Sequence, residues 1–166
     1  ALIGRVNSDL ANNLGNLLNR TVNMMAKYYE AIIPEPRQSP DDSLLTNKAT
    51  EVIREVHALY DHLSFNKILT KIWELVDATN QYIDLSAPWN LFKTEDGKAR
   101  LATVMYNSIE SLRVIAVLIY PFMPETAGKI LQQIGIRESI EAQGLQSIRT
   151  WGGTKPGNKI EPGALI

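Results

Sequence analysis

The sequence predicts an all-α fold, a bundle of four to five helices followed by an irregular or extended C-terminal tail. Apolar residues recur at the spacing of amphipathic helices through most of the chain, and prolines or glycines separate these stretches. The chain has 166 residues, of which 45% are hydrophobic, as is typical of one globular domain. It contains no cysteine, which excludes disulfide scaffolds, thiol catalysis and cysteine-ligated zinc.

Apolar spacing and helix-breaking residues set the expected bounds of each helix. We predict helices over about residues 2–33, 43–63, 65–83, 98–120 and 124–134. Pro34 ends the first of these, and Asp41 and Asp42 provide acidic, cap-type residues ahead of the second. Pro121 ends the fourth helix, and Gly135 stops the fifth.

The chain divides into a helical domain over residues 1–144 and a tail over residues 145–166, which is rich in glycine and proline. The first residue already lies inside an amphipathic pattern, so we expect a fragment of a longer protein. The most apolar run, residues 112–122, is shorter than the ~20 residues that span a bilayer, and the N-terminus does not resemble a secretory signal. We therefore expect a cytoplasmic protein.

Charge and motif content narrow the function further. With 17 Lys and Arg against 18 Asp and Glu, the formal net charge of −1 argues against a protein that coats nucleic acid, so any contact with RNA or DNA must be local. No nucleotide-binding, hydrolase or metalloprotease motif occurs. His57 and His62 point about 140° apart on a helix, which is poor geometry for a shared metal. We predict no metal site and no catalytic residue.

One face of the first helix is polar in an unusual way, and we call it the polar strip. Its members fall within about 60° of Asn16 on a helical wheel: Asn12, Asn13, Asn16, Asn19, Arg20, Asn23 and Lys27. Asparagine is a weaker helix former than Glu, Lys or Gln by roughly half a kcal/mol. Two interpretations stay open: the strip contacts water or a missing domain, or it forms hydrogen bonds to a ligand through residues such as Asn16 and Arg20, about 5–6 Å apart.

Trp89 is the second informative residue. Pro88 should make Ala87 extended and hold the Trp89 indole at a helix start, where it is either packed or exposed as a stacking platform. Trp73, by contrast, lies on an apolar stripe and is expected in the core. Unpaired RNA bases bind by stacking on aromatic rings and by hydrogen bonds at their edges, which an indole beside the polar strip would provide.

Four segments together resemble a known family. They are the asparagine-rich residues 7–20, Ala87-Pro88-Trp89, Tyr120-Pro121-Phe122-Met123-Pro124 and Trp151-Gly152-Gly153-Thr154-Lys155-Pro156-Gly157. In this combination the chain resembles, over nearly its whole length, the C-terminal anticodon-binding domain of methionyl-tRNA synthetases, which are class I aminoacyl-tRNA synthetases.

The resemblance implies a domain that binds the anticodon loop of methionine tRNA and recognises CAU, so that the full enzyme can attach methionine in an ATP-dependent reaction. It implies that Asn16, Arg20 and Trp89 contact the first anticodon base. The remaining expected site residues lie on the polar strip or next to Trp89: Asn12, Asn23, Lys27 and Pro88.

The same resemblance implies that ATP and methionine bind to a missing N-terminal catalytic domain. The nucleotide-binding motifs of that domain are absent from this sequence. We expect no cofactor in this chain and no ligase activity from it alone, and we expect the tail to pack on the bundle or on the catalytic domain. The equivalent domain of another class I synthetase and a helical protein-interaction module are the alternatives.

Overall fold

A computed structural model of the chain describes residues 4, 8–37, 43–163 and 166. A π-helical turn at Leu10–Leu14 leads into the α-helices, which are α1 (Gly15–Tyr29), α2 (Ser43–Tyr60), α3 (Phe65–Ser86), α4 (Pro88–Leu91), α5 (Lys98–Ile119), α6 (Pro124–Gln133) and α7 (Ile140–Ser147). The only β-type pairing in this part of the chain is one antiparallel bridge between Ile32 and Lys159. The predicted all-α class is confirmed.

The first helix ends four residues earlier than its sequence predicts. Glu30 and Ala31 adopt left-handed conformations with φ of 51° and 65°, and Ile32 and Ile33 pair with residues near the C-terminus. The π-helical turn was not predicted, and residue 2, the expected start of this helix, lies outside the described residues. Asp41 and Asp42, the expected cap of the second helix, also lie outside them.

α5 is the central helix of the bundle. Every residue from 101 to 119 is buried, and α3 and α6 pack against this helix. Its apolar stretch is long enough to cross a membrane, yet that whole stretch is buried inside the protein. A hydrogen bond of 2.6 Å between the hydroxyls of Thr79 and Ser111 joins α3 to α5 within the core.

Contacts between α1 and α3 show that these helices run in the same direction. Asn13 donates a hydrogen bond of 2.9 Å to Asp77 near the start of α1, and Arg20 donates one of 2.7 Å to Asp84 further along both helices. The C-terminal ends of α1 and α3 therefore lie at the same end of the bundle, together with α4.

Residues after α6 are more regular than the sequence predicts. α7 was not predicted, and Gly144, inside it, has the non-helical angles φ 14° and ψ 168°. The chain then crosses the bundle in extended form: Tyr106 donates a hydrogen bond of 2.6 Å to the carbonyl of Thr154, and Ile160 is buried in the core. The division into a domain and a tail at residue 144 stays a prediction.

Candidate nucleic-acid interface

Most of the polar strip lies on α1 and faces away from the core, whereas Asn12 and Asn13 lie in the π-helical turn before α1. Asn16, Asn23 and Lys27 are exposed, and the Arg20 side chain is 27% exposed. The buried residues of α1 lie on its other side: Gly15, Leu17, Leu18, Thr21, Val22 and Met25. Among the described residues, none forms a hydrogen bond with the Asn16 side chain, so its amide is available to a ligand.

Other asparagines of the strip are engaged within the protein. Asn13 binds Asp77, and its backbone carbonyl accepts a hydrogen bond of 3.4 Å from Asn80 on α3, so Asn13 joins two helices. Asn23 donates to Asn19 one turn earlier, at 3.3 Å. Asn12 donates to the Ser8 hydroxyl at 3.2 Å, and it lies about 12 Å along the helix axis from Arg20. The structure therefore does not bring Asn12 next to the Arg20 side chain.

Arg20 forms an ion pair that the sequence does not predict. Its Nη2 lies 2.7 Å from Oδ1 of Asp84, whose side chain is 62% exposed. The two residues are 64 positions apart, so no local pattern could have paired them. Because a guanidinium carries five N–H groups and this contact uses one nitrogen, Arg20 is oriented by Asp84 and still has donors for a ligand.

The loop before Trp89 has a different backbone from the one expected. Ala87 is left-handed, with φ 48° and ψ 63°, instead of extended, because α3 continues to Ser86 and Ala87 closes its last turn with a hydrogen bond of 3.0 Å to Ile83. Pro88 is buried and begins α4. Trp89 is 40% exposed, whereas Trp73 is 6% exposed. The Trp89 indole is therefore partly covered and partly open to solvent.

An aromatic pair joins the end of α1 to the turn after α4. The rings of Tyr28 and Phe92 stack with centroids 4.7 Å apart, and Lys27 Nζ lies 5.8 Å from the Tyr28 ring centre. Burial raises the pKa of the Tyr28 hydroxyl above its ordinary value. This pair has no signal in the sequence, because stacking between residues 28 and 92 depends on the packing of the helices.

The Arg20–Asp84 and Tyr28–Phe92 contacts together hold residues 84–92 along α1. Trp89 lies in this segment, and Asn23 and Lys27 lie on the matching stretch of α1. The structure thus places residues 20–28 of α1 alongside the segment that carries Trp89. It also places Leu85, 77% exposed, and Phe92, 41% exposed, in the same segment. This surface offers amide, guanidinium and aromatic groups, which is the set that unpaired bases bind.

The comparison with family models matches residues 33–158 to the anticodon binding domain of methionyl tRNA ligase. The matched range includes Pro88 and Trp89 but not the polar strip. Neither another class I synthetase nor a protein-interaction module is favoured by this match.

Similar proteins extend the likeness over the rest of the chain. The methionine–tRNA ligase of Caldanaerobacter subterraneus subsp. tengcongensis is 44% identical over an alignment of 167 positions, which covers 100% of this chain and 26% of that protein. That of Listeria monocytogenes serovar 1/2a is 45% identical over 82% of this chain and 21% of its own length. Mycobacterium tuberculosis methionyl-tRNA synthetase in complex with methionyl-adenylate superposes with a TM-score of 0.87 at 32% identity, over 98% of this chain and 32% of that one. The chain thus spans about a quarter of the length of the curated relatives it matches.

Proposed function

Because this chain belongs to the family of anticodon-binding domains of methionyl-tRNA ligase, we propose that it binds the anticodon loop of methionine tRNA and selects the CAU anticodon. In this proposal the chain contributes specificity to a longer cytoplasmic enzyme, and the ATP-dependent attachment of methionine takes place on a catalytic domain outside it. The chain itself uses no cofactor, since ATP and methionine bind to that domain.

The first anticodon base, cytosine, is read by Asn16 and Arg20. The pairing edge of cytosine presents one amino donor and two acceptors. The Asn16 carbonyl accepts from the amino group, and Arg20 donates to the acceptors. Support comes from the free Asn16 amide and from Asp84, which holds the guanidinium 2.7 Å away and limits its orientations. A base with a different edge would leave at least one of these groups unpaired, which carries a free-energy cost.

The Trp89 indole covers the face of an unpaired base. Pro88 fixes the backbone at the start of α4, and the left-handed Ala87 turns the chain sharply before it. Because the backbone that carries the indole is fixed before RNA binds, little backbone entropy is lost when a base stacks on it. The 40% exposure of Trp89, in the segment that Arg20 and Tyr28 hold along α1, is the single observation that carries this proposal.

The other members of the site contact the RNA around this base. The Lys27 ammonium neutralises a phosphate, and the Asn23 amide hydrogen-bonds to the sugar or to the next base. Asn12 contacts a nucleotide further along the loop, since it lies about 12 Å from Arg20. With a net charge of −1, the chain gains little from general phosphate attraction, so binding should depend only modestly on salt.

The test is the affinity of this chain for a methionine anticodon stem-loop with CAU and for a matched loop with the first anticodon base changed. We expect tighter binding to CAU, and we expect Asn16→Ala to reduce that preference. Asn47→Ala is the matched control, because Asn47 is an exposed asparagine on α2. Equal affinity for the two loops would contradict base recognition. A chain that binds neither loop but captures a protein would support the interaction module instead.

A further inference from the structure

α5 carries a buried pair of charges that base recognition does not use. Glu110 is 0% exposed and Arg113 is 1% exposed, and the two form an ion pair one turn apart. Charged side chains at such depth require complete pairing, since an uncompensated buried charge is strongly destabilising. The partners of this pair therefore indicate what it holds in place.

The Glu110 carboxylate binds three consecutive backbone N–H groups of the segment after α7. Its Oε1 accepts from Gly152 at 3.1 Å and from Gly153 at 3.2 Å, and its Oε2 accepts from Thr154 at 2.8 Å. We call residues 151–161 the strap. Without the carboxylate, these N–H groups would lose their acceptor.

Arg113 also contacts the strap and the end of the helix before it. Its Nη2 donates to the Ser147 carbonyl at 3.2 Å, which fixes the end of α7. Its guanidinium also lies directly against Gly153: a Cβ atom at that residue would lie 2.5 Å from Arg113 Cζ. Only glycine lets the strap approach the ion pair so closely. Trp151 adds a hydrogen bond of 3.3 Å from its indole Nε1 to Asn107.

The strap also forms hydrogen bonds with residues 31–33, just after α1. Gly157 donates to the Ile33 carbonyl at 2.8 Å, Ile33 donates to the Asn158 carbonyl at 2.9 Å, and Ile160 donates to the Ala31 carbonyl at 2.8 Å. Residues 31–33 follow α1 after one left-handed turn. Hydrogen bonds thus fix one part of the strap to Glu110 and the next part to residues 31–33, which directly follow the helix that carries the polar strip.

We propose that Glu110 is a positioning residue for anticodon recognition, which acts by holding the strap and, through it, the C-terminal end of α1. The inference rests on the function proposed above. Because Glu110 is completely buried, it cannot touch the RNA directly. Its effect is to keep Lys27 and Tyr28, in the last turn of α1, in register with the segment that carries Trp89.

Glu110→Gln tests this inference. The substitution keeps the shape of the side chain but replaces one acceptor oxygen with an NH₂ group that faces other donors. Trp151→Phe is a milder second variant, because it removes the indole N–H that binds Asn107 and keeps a smaller aromatic ring. Glu138→Gln is the matched control, since Glu138 is exposed and contacts Lys155 of the strap at 3.8 Å. All variants are compared with the unsubstituted chain under conditions in which circular dichroism shows each to be folded.

Two readouts separate positioning from general stability. Hydrogen exchange should accelerate at residues 152–154 and also at residues 31–33 in Glu110→Gln, and to a smaller extent in Trp151→Phe. Affinity for the CAU stem-loop should fall by about 2- to 30-fold in Glu110→Gln, the range for substitutions that act through a coupled element. A purely structural role would lower the melting temperature without changing the affinity of the folded protein.

The inference is overturned if exchange accelerates in the strap but not at residues 31–33, or if both accelerate while CAU affinity equals that of the unsubstituted chain. If Glu110→Gln does not fold, the same two criteria apply to Trp151→Phe. Failure of the unsubstituted chain to distinguish CAU would refute the proposed function instead. The exchange comparison would still show whether the strap holds the end of α1.

Discussion

Replacement of Trp89 by alanine gives the sharpest test of the stacking surface. Base stacking on one aromatic side chain contributes about 1–3 kcal/mol, which corresponds to an affinity for the CAU stem-loop about 5- to 150-fold weaker in Trp89→Ala. The fold should tolerate this change better than a core substitution. A fully buried Trp→Ala change costs about 3–5 kcal/mol of unfolding free energy, and Trp89 already has 40% of its surface in solvent.

The assay is fluorescence anisotropy with a labelled CAU stem-loop, combined with urea denaturation of each variant. Trp89→Phe keeps an aromatic ring and should retain most of the affinity. Leu85→Ala is the control for loss of apolar surface in the same segment, since Leu85 is 77% exposed. Trp73→Ala provides the core reference for stability. A folded Trp89→Ala protein that binds CAU as tightly as the unsubstituted chain would refute the stacking role. A loss of stability equal to that of Trp73→Ala would identify Trp89 as a core residue.

Three further substitutions test base recognition by Asn16, the charge beside Arg20 and the burial of Tyr106. Asn16→Ala should reduce discrimination between CAU and the altered loop by about 1–3 kcal/mol without a change in melting temperature, as paired titrations of both loops would reveal. Asp84→Asn keeps an oxygen that can accept from Arg20 and so orient it, but removes the negative charge beside the RNA. It should therefore strengthen binding to both loops by about 0.2–1 kcal/mol, with a steeper salt dependence, and unchanged affinity at low salt would count against this expectation. Burial, with a neighbouring carboxylate, raises the pKa of Tyr106 to about 12. The unfolded chain releases this proton near pH 10, so the contribution of the Tyr106 proton to the free energy of unfolding is complete below pH 10 and is lost as the pH rises toward 12. Urea denaturation should therefore show that the free energy of unfolding falls less at alkaline pH in Tyr106→Phe than in the unsubstituted chain.

Periodic apolar spacing identified the long helices over most of their length, because a helix that buries one face requires apolar residues at helical spacing. The errors of this prediction are at helix ends and in a short helix. α1 stops at Tyr29 since residues 31–33 pair with the strap, more than a hundred positions later. α7 was missed because its eight residues include Gly144 and bury no side chain. Neither the early end of α1 nor the short helix α7 is indicated by the type or spacing of the neighbouring residues.

The candidate site was predicted in part. Amphipathicity placed Asn16, Asn23 and Lys27 on one face of a helix, and the structure shows them exposed there. Their contacts with RNA stay a prediction, as do those of Asn12, Arg20, Pro88 and Trp89. Asp84 and Phe92 were not found from the sequence, because each joins the site through a partner on another helix.

The sequence by itself determined the all-α class, the polar and apolar faces of α1 and the family to which the chain belongs. The fold class and the two faces depend on residue type and on spacing within a few turns, and the family is indicated by four short motifs taken together, so none of these properties requires the tertiary structure. Only the tertiary structure decided that Arg20 meets Asp84, that Tyr28 stacks on Phe92 and that the Glu110 carboxylate binds the strap. These contacts join residues that are 42 to 64 positions apart, and they form only when burial of the common core has brought the helices together.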